Sequence, residues 1–134
     1  MIKRLHHTAI IVSSESGVEF YKELGFIEEN RIDRGHDQIV WMNGCGEKIE
    51  LFVDSTHPAR STNPEALGLR HLAFEVDDVD VEWKRLCKYG PEPIRVKDNG
   101  KRLFFVKDLA RSIKGTTQVK SSSINAFRHF SKVA

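Results

Sequence analysis

Two short stretches of the chain spell the same pattern: HTAIIV at residues 7–12 and HLAFEV at 71–76 both read His-x-Ala-x-x-Val. They start 64 positions apart in a chain of 134 residues, about half its length. A repeat at this spacing constrains the fold, because whatever unit the first half makes, the second half makes again. The residues after each copy agree. In SSESGVEFYKELGF, residues 13–26, Ser16 and Glu19 stand at capping-box spacing, Val18, Tyr21 and Leu24 recur at helical intervals, and Gly25 supplies a stop. In DDVDVEWKRLCKYGP, residues 77–91, Asp77 or Asp78 caps a helix, Trp83, Leu86 and Cys87 form its apolar stripe, and Gly90-Pro91 ends it.

Strands follow each helix. FIEENRI (26–32) and QIVWMN (38–43) flank the turn-like DRGHD, and Asn43-Gly44 leads toward KIELFV (48–53). In the second half PEPIRVKD (91–98) meets KRLFFVKD (101–108) across Asn99-Gly100, the strongest short hairpin signal in the chain. The expected fold class is therefore α+β, with two βαβββ modules whose curved mixed sheets surround a cleft. Module one spans about 4–54, a linker rich in Pro, Ser and Thr spans 55–68, and module two spans about 69–118. The second module is incomplete or altered at its last strand. A basic tail, 119–134, follows, forming either a short helix with Ala126, Phe127 and Phe130 partly on one side or a disordered end.

Composition narrows the function classes. The net charge of +2 hides an asymmetry: no Asp or Glu follows Asp108, while Arg111, Lys114, Lys120, Arg128 and Lys132 do. The body of the domain is thus mildly acidic, and no nucleic-acid-binding signature accompanies the basic end, so no nucleic-acid partner is expected. No apolar run approaches the roughly 18 residues of a membrane span. The expectation is a protein with no membrane association and a cytoplasmic address. Cys45 and Cys87 are too few for a disulfide framework and fit no zinc-ribbon spacing, and both read as reduced packing residues.

Alternation along the strands sorts the chemistry. His7, Ala9 and Ile11 share one face of the first strand, and Thr8, Ile10 and Val12 share the other. In the second copy His71, Ala73 and Glu75 face one way, and Leu72, Phe74 and Val76 the other. The bulkier apolar face packs on the following helix, which leaves each histidine beside a small alanine on an open face. The same logic in KIELFVD sends Ile49, Leu51 and Val53 to the helix and sets Glu50 beside Phe52 on the open side. A mid-strand carboxylate is costly to bury unless paired or bound to a cation. Two imidazoles and one carboxylate converging on a cleft suit one divalent metal ion such as zinc, nickel, iron or manganese. Taken singly, each of these residues also has an ordinary explanation, a packed histidine or a solvated glutamate; the recurrence of the histidine argues for a site.

Paired βαβββ modules carrying LHHTAIIV, IELF and GLRHLAFEVDD resemble the vicinal oxygen chelate superfamily, which includes glyoxalase I, bleomycin-resistance proteins, fosfomycin-resistance enzymes and extradiol dioxygenases. The resemblance covers about residues 4–108 and implies a small glyoxalase-like domain. It implies metal ligands on the first strand of each module, His7 and His71, and a glutamate on the last strand of module one, Glu50. His6 adjoins His7 on the opposite strand face, so a register change of one residue would exchange them. The family's second glutamate is where the chain departs. Lining up Asp108 with the family's aspartate puts Gly115 in the glutamate's place; Gln118, a neutral oxygen donor, and Asp108, the nearest carboxylate, both fall elsewhere.

The resemblance implies a glyoxalase I-like lyase or isomerase acting on a small oxygenated or thiol-conjugated substrate. The metal stabilises an enediolate and Glu50 serves as the catalytic base. The alternative is a metal-free binding module of the drug-sequestering kind, with Phe52 and Trp41 as aromatic walls of the substrate cleft, or a degenerate family member. A homodimer is expected, because two such modules pair within or between chains and an incomplete last strand leaves a sheet edge to cover.

Overall fold

The computed structural model describes residues 1–61, 63–107 and 116–121, the last segment as backbone except at Lys120. The suggested helix around Ala126, Phe127 and Phe130 lies outside the described residues, as do Asp108 and Gly115. The described residues form two compact units, one within 1–66 and the other comprising 67–107 with the strand at 116–121.

The first unit runs β1 (Thr8–Val12), α1 (Glu15–Glu23), β2 (Ile27–Asp33), β3 (Gln38–Gly44) and β4 (Glu47–Val53). The second runs β5 (His71–Val76), α2 (Val79–Arg85), a 3₁₀ turn (Cys87–Tyr89), β6 (Arg95–Val96), β7 (Arg102–Lys107) and β8 (Thr116–Ser121). Their sheets have the same order, β1-β4-β3-β2 and β5-β8-β7-β6. In each, the first strand pairs in parallel with the last, and the other pairs are antiparallel. Each unit is thus a βαβββ module in an α+β fold, as the repeat predicts. The second module has its last strand; what is altered there is its residues, which include no carboxylate.

Alternation divides the first sheet as the sequence suggests. Val12, Val40, Met42, Ile49 and Leu51 are buried, together with Val18, Phe20 and Tyr21 from α1. Ala9 and Ile11 on the other face are exposed. In the second unit Val79, Leu86, Leu103, Phe104 and Val106 form the core. Complete removal of an aliphatic or aromatic side chain of this size from water contributes about 1.5–3 kcal/mol, so these alternating strands provide the main driving force for each module.

Three local readings change. Helix α1 begins at Glu15 behind Ser14, so Ser16 lies inside it and forms no capping box with Glu19. The Ser14 hydroxyl is 2.6 Å from the Ser16 hydroxyl, and the first turn is closed instead by Gly17 N–H donating to the Ser14 carbonyl at 3.0 Å. In α2 the cap is Asp78, whose carboxylate accepts from the N–H groups of Asp80 and Val81 at 2.9 and 3.1 Å. The apolar stripe that follows loses Cys87: the helix ends at Arg85 and tightens into the 3₁₀ turn, which rotates Cys87 outward. Cys45 sits in the β3–β4 turn, so both thiols are free and exposed rather than packed. No helix among the described residues is long and apolar enough to cross a membrane.

One close approach holds α1 to its sheet. A Cβ on Gly17 would lie 2.5 Å from Val12 Cβ, so only glycine lets the helix start this near the end of β1. Gly17→Ala is expected to destabilise the protein by about 1–3 kcal/mol through overpacking. Urea unfolding should show a lower midpoint with unchanged slope, and an unaltered midpoint would show that Val12 moves aside freely.

Candidate functional site

On the open face of the first sheet, β4 lies between β1 and β3, so Glu50 stands at mid-sheet. Its lateral neighbours are Ala9 on one side and Trp41 on the other. Alanine leaves room above the sheet there, and His7 fills part of it from just before β1. The His7 Nε2 is 3.3 Å from Glu50 Oε2, and the carboxylate side chain is only 15% exposed. The His7 ring is held on two sides. The Trp41 ring meets it edge-on at 5.0 Å, and His6 places its Nδ1 2.9 Å from His7 Nδ1.

The second module repeats this arrangement in backbone register. Ala73 and Phe105 flank Gln118 as Ala9 and Trp41 flank Glu50. The His71 ring meets Phe105 edge-on at 5.7 Å, matching the His7–Trp41 contact. Gln118 therefore occupies the register position that corresponds to Glu50, whereas counting forward from Asp108 leads to Gly115. The reason is spacing. His7 and His71, like Trp41 and Phe105, are 64 positions apart, whereas Glu50 and Gln118 are 68 apart. Between its last two strands the second module carries four more residues than a faithful copy would.

His7 and Glu50 thus belong to one unit and His71 to the other. Among the described residues, no three His, Cys, Asp or Glu groups converge closely enough to hold a metal ion.

Beside the His7–Glu50 pair the first unit has an open cavity of about 550 Å³. Its floor is Ala9, Ile11 and Phe52. Trp41 is absent from this wall, so the two aromatic residues expected to line a cleft have separate places: Trp41 against His7, Phe52 in the cavity. One side comes from the β2–β3 turn, where Gly35 at φ +85° reverses the chain. There Arg34 grips Asp37 through both Nε and Nη2, and its guanidinium lies 5.5 Å over the Phe52 ring. Across the cavity Asp54 accepts from the backbone and hydroxyl of Thr56 at 2.8 and 2.7 Å and faces His57 Nε2 at 3.3 Å.

Hydrogen bonds from Arg34 hold the Asp37 carboxyl below the ordinary aspartate range, and those from Thr56 do the same for Asp54. The Arg34 guanidinium is correspondingly raised, chiefly by Asp37, with a smaller contribution from the charge of Glu50. These polar residues were not singled out from sequence. DRGHD reads as a turn and DSTH as the start of a linker, and only the shared spacing of three residues, Arg34 to Asp37 and Asp54 to His57, hints at the pairs.

The superfamily described as Glyoxalase/Bleomycin resistance protein/Dioxygenase matches residues 4–110 of the chain. The uncharacterized protein YwkD of Bacillus subtilis is 43% identical over 116 residues, covering 81% of this chain and 91% of that protein. The crystal structure of a glyoxalase family protein from Enterococcus faecalis superimposes with a TM-score of 0.78 at 32% identity, covering 89% of this chain and 98% of that one. The fold is also shared, at 18% identity and a TM-score of 0.67 over 89% and 92% of the two chains, by a mutant form of the fosfomycin resistance protein FosX from Listeria monocytogenes. That protein was crystallised with Mn(II) and 1S,2S-dihydroxypropylphosphonic acid. Two modules with this strand order, each opening on His-x-Ala, define a vicinal oxygen chelate fold. The chain belongs to the glyoxalase/bleomycin resistance/dioxygenase superfamily.

The lowered carboxyl groups at the cavity set an acid dependence. A group whose native value is depressed contributes its full stability above its unfolded value and loses it as pH falls through the native one. The thermal midpoint should therefore fall below about pH 4, the ordinary aspartate range. Arg34→Gln, which removes the partner of Asp37, should flatten that fall; equal slopes in the two proteins would show that the Arg34–Asp37 pair does not contribute.

Proposed function

We propose that the protein is a metal-dependent, glyoxalase I-like lyase or isomerase acting on a small oxygenated or thiol-conjugated substrate. In this reading His7, Glu50 and His71 hold one divalent ion, zinc, nickel, iron or manganese. The observation that carries it is the His7–Glu50 pair: a nearly enclosed carboxylate and an imidazole nitrogen 3.3 Å apart beside an alanine. Imidazole and carboxylate donors suit the ions named, and a carboxylate so placed is stabilised by a cation. The manganese in the structure of FosX supports a divalent ion in this fold.

When bound, the ion would supply Lewis acidity toward paired substrate oxygens. The chain's own residues do the rest. Glu50 accepts a proton from one substrate carbon and returns it to the next, a role that positioned bases fill with gains of about 10² to 10⁴ in rate. Trp41 fixes the plane of the His7 ring. Phe52, Ala9 and Ile11 bound the apolar part of the substrate, and Arg34 lies over the Phe52 ring at its edge. Because the register position opposite Ala73 holds Gln118, Glu50 is the single carboxylate of the set and carries the base function alone. Assembly as a homodimer and a cytoplasmic address belong to the same reading, by way of the paired modules and the family.

The cavity itself favours a second reading, a metal-free small-molecule binder of the drug-sequestering kind with Phe52 as its aromatic wall. Elemental analysis of protein purified without chelator or nickel affinity resin separates the two. The metalloenzyme reading expects about one divalent ion per site, and expects Glu50→Ala and His7→Ala each to lose it. A metal-free protein that binds a flat aromatic ligand tightly, with no dependence on Glu50, would favour the binder. Gln118→Glu is expected to tighten zinc binding about tenfold or more, a change of roughly 1.4 kcal/mol. Unchanged affinity would place position 118 outside the site.

A further inference from the structure

We propose that His6 is a positioning residue for His7: the two rings share one proton between their Nδ1 atoms, and the side on which that proton sits is coupled to whether His7 Nε2, the nitrogen facing Glu50, carries a hydrogen or a bare lone pair. The Nδ1–Nδ1 separation of 2.9 Å is a hydrogen-bond distance. Two N–H groups would collide there and two lone pairs would repel, so one ring donates and the other accepts. The far nitrogen of His7, Nε2, is 3.3 Å from Glu50 Oε2. With no cation present a carboxylate oxygen at that range calls for a hydrogen on Nε2. His7 then accepts at Nδ1 from His6 Nδ1–H, and the bare Nε2 of exposed His6 points away from the shared proton.

A cation between His7 and Glu50 needs the opposite arrangement. His7 Nε2 must present its lone pair, so its single proton moves to Nδ1 and is accepted by His6 Nδ1, while His6 carries its proton on Nε2. Both rings stay neutral in both states, and each ring keeps one proton: His7 gives its Nε2 proton to solvent and takes the shared one, and His6 takes a proton from solvent at Nε2. The rings stand edge to face at 83° with centroids 5.1 Å apart, and Trp41 holds His7 from another side, so the exchange needs no ring rotation. Metal-binding histidines commonly donate their second N–H to an outer partner that fixes tautomer and orientation. Here the partner is the preceding residue in the chain, and it can serve either tautomer because imidazole both donates and accepts.

The metal half of this inference rests on the reading of His7 and Glu50 as ligands; the tautomer half does not. Long-range proton–nitrogen NMR on the metal-free protein at about pH 8, above the ordinary imidazole range, reads the tautomers directly. Wild type should show His7 protonated at Nε2, and added zinc should move that proton to Nδ1. His6→Ala, with Glu50 still in place, should leave the metal-free His7 ring less completely protonated at Nε2 and weaken zinc binding by about 10- to 100-fold. His6→Asn, which also donates and accepts, should restore both. An unchanged His7 tautomer and unchanged zinc affinity in His6→Ala overturn the proposal, and if Glu50→Ala still abolishes zinc binding the half-site stands without it. A wild-type protein that takes up no zinc, but whose His7 tautomer responds to His6→Ala, keeps the positioning role and removes the metal reading.

Discussion

The parallel pairing of first and last strand organises each module. In the first, Thr8–Val12 lies along Ile49–Val53, and with a side-chain period of two this register puts Val12, Ile49 and Leu51 into the core and Ala9, Glu50 and Phe52 on the open face together. A slip of one residue would send Glu50 under α1 and lift Leu51 into solvent, exchanging an apolar burial for a buried carboxylate. The core therefore holds the site in register: Glu50 meets the space left by Ala9 because Leu51 and Ile49 must be buried. The same pairing, repeated between His71–Val76 and Thr116–Ser121, brings Gln118 opposite Ala73.

Much of this was legible in the chain. The repeated His-x-Ala-x-x-Val fixes both first strands, and the alternation in KIELFV correctly separates Ile49 and Leu51 from Glu50, because burial is the strongest force acting on these strands and it leaves a period in the sequence. The hairpin at Asn99-Gly100 is equally plain, with Gly100 in the left-handed region at φ +77°. What failed was counting across a loop. The position matching Glu50 cannot be found by adding a constant offset, because four extra residues precede it; hydrogen-bond register finds it, since sheet pairing is blind to loop length. The cavity wall of Arg34, Asp37, Asp54 and His57 was hidden for a different reason. These residues sit in turns, where composition announces a bend but not which side chains meet; each pair is local, three residues apart, but the paths before β3 and after β4 that bring the two pairs to one cavity are encoded by no local pattern.

The two modules share a scaffold and differ in what they present. Trp41 and Phe105, His7 and His71, and Ala9 and Ala73 preserve the arrangement of rings and space, while a carboxylate in one copy is matched by an uncharged residue in the other. A duplicated unit can drift in this way because the open face contributes little to burial. Substitution there leaves Phe104, Val106 and Leu103 to hold the second sheet as their counterparts hold the first.

The strand order has a further consequence, in time rather than in space. Because β1 finds its only partner among the described residues in β4, residues 8–12 emerge during synthesis well before anything they can pair with. Until residue 53 is made, the growing chain can form α1 and the β2–β3 hairpin but cannot close the sheet, and an apolar strand remains open to other chains. The polar residues preceding it, Lys3, Arg4, His6 and His7, flank that strand throughout this interval. The segment that later supplies His7 to its contact with Glu50 thus also serves as a charged and polar guard on an unpaired edge until the sheet can close.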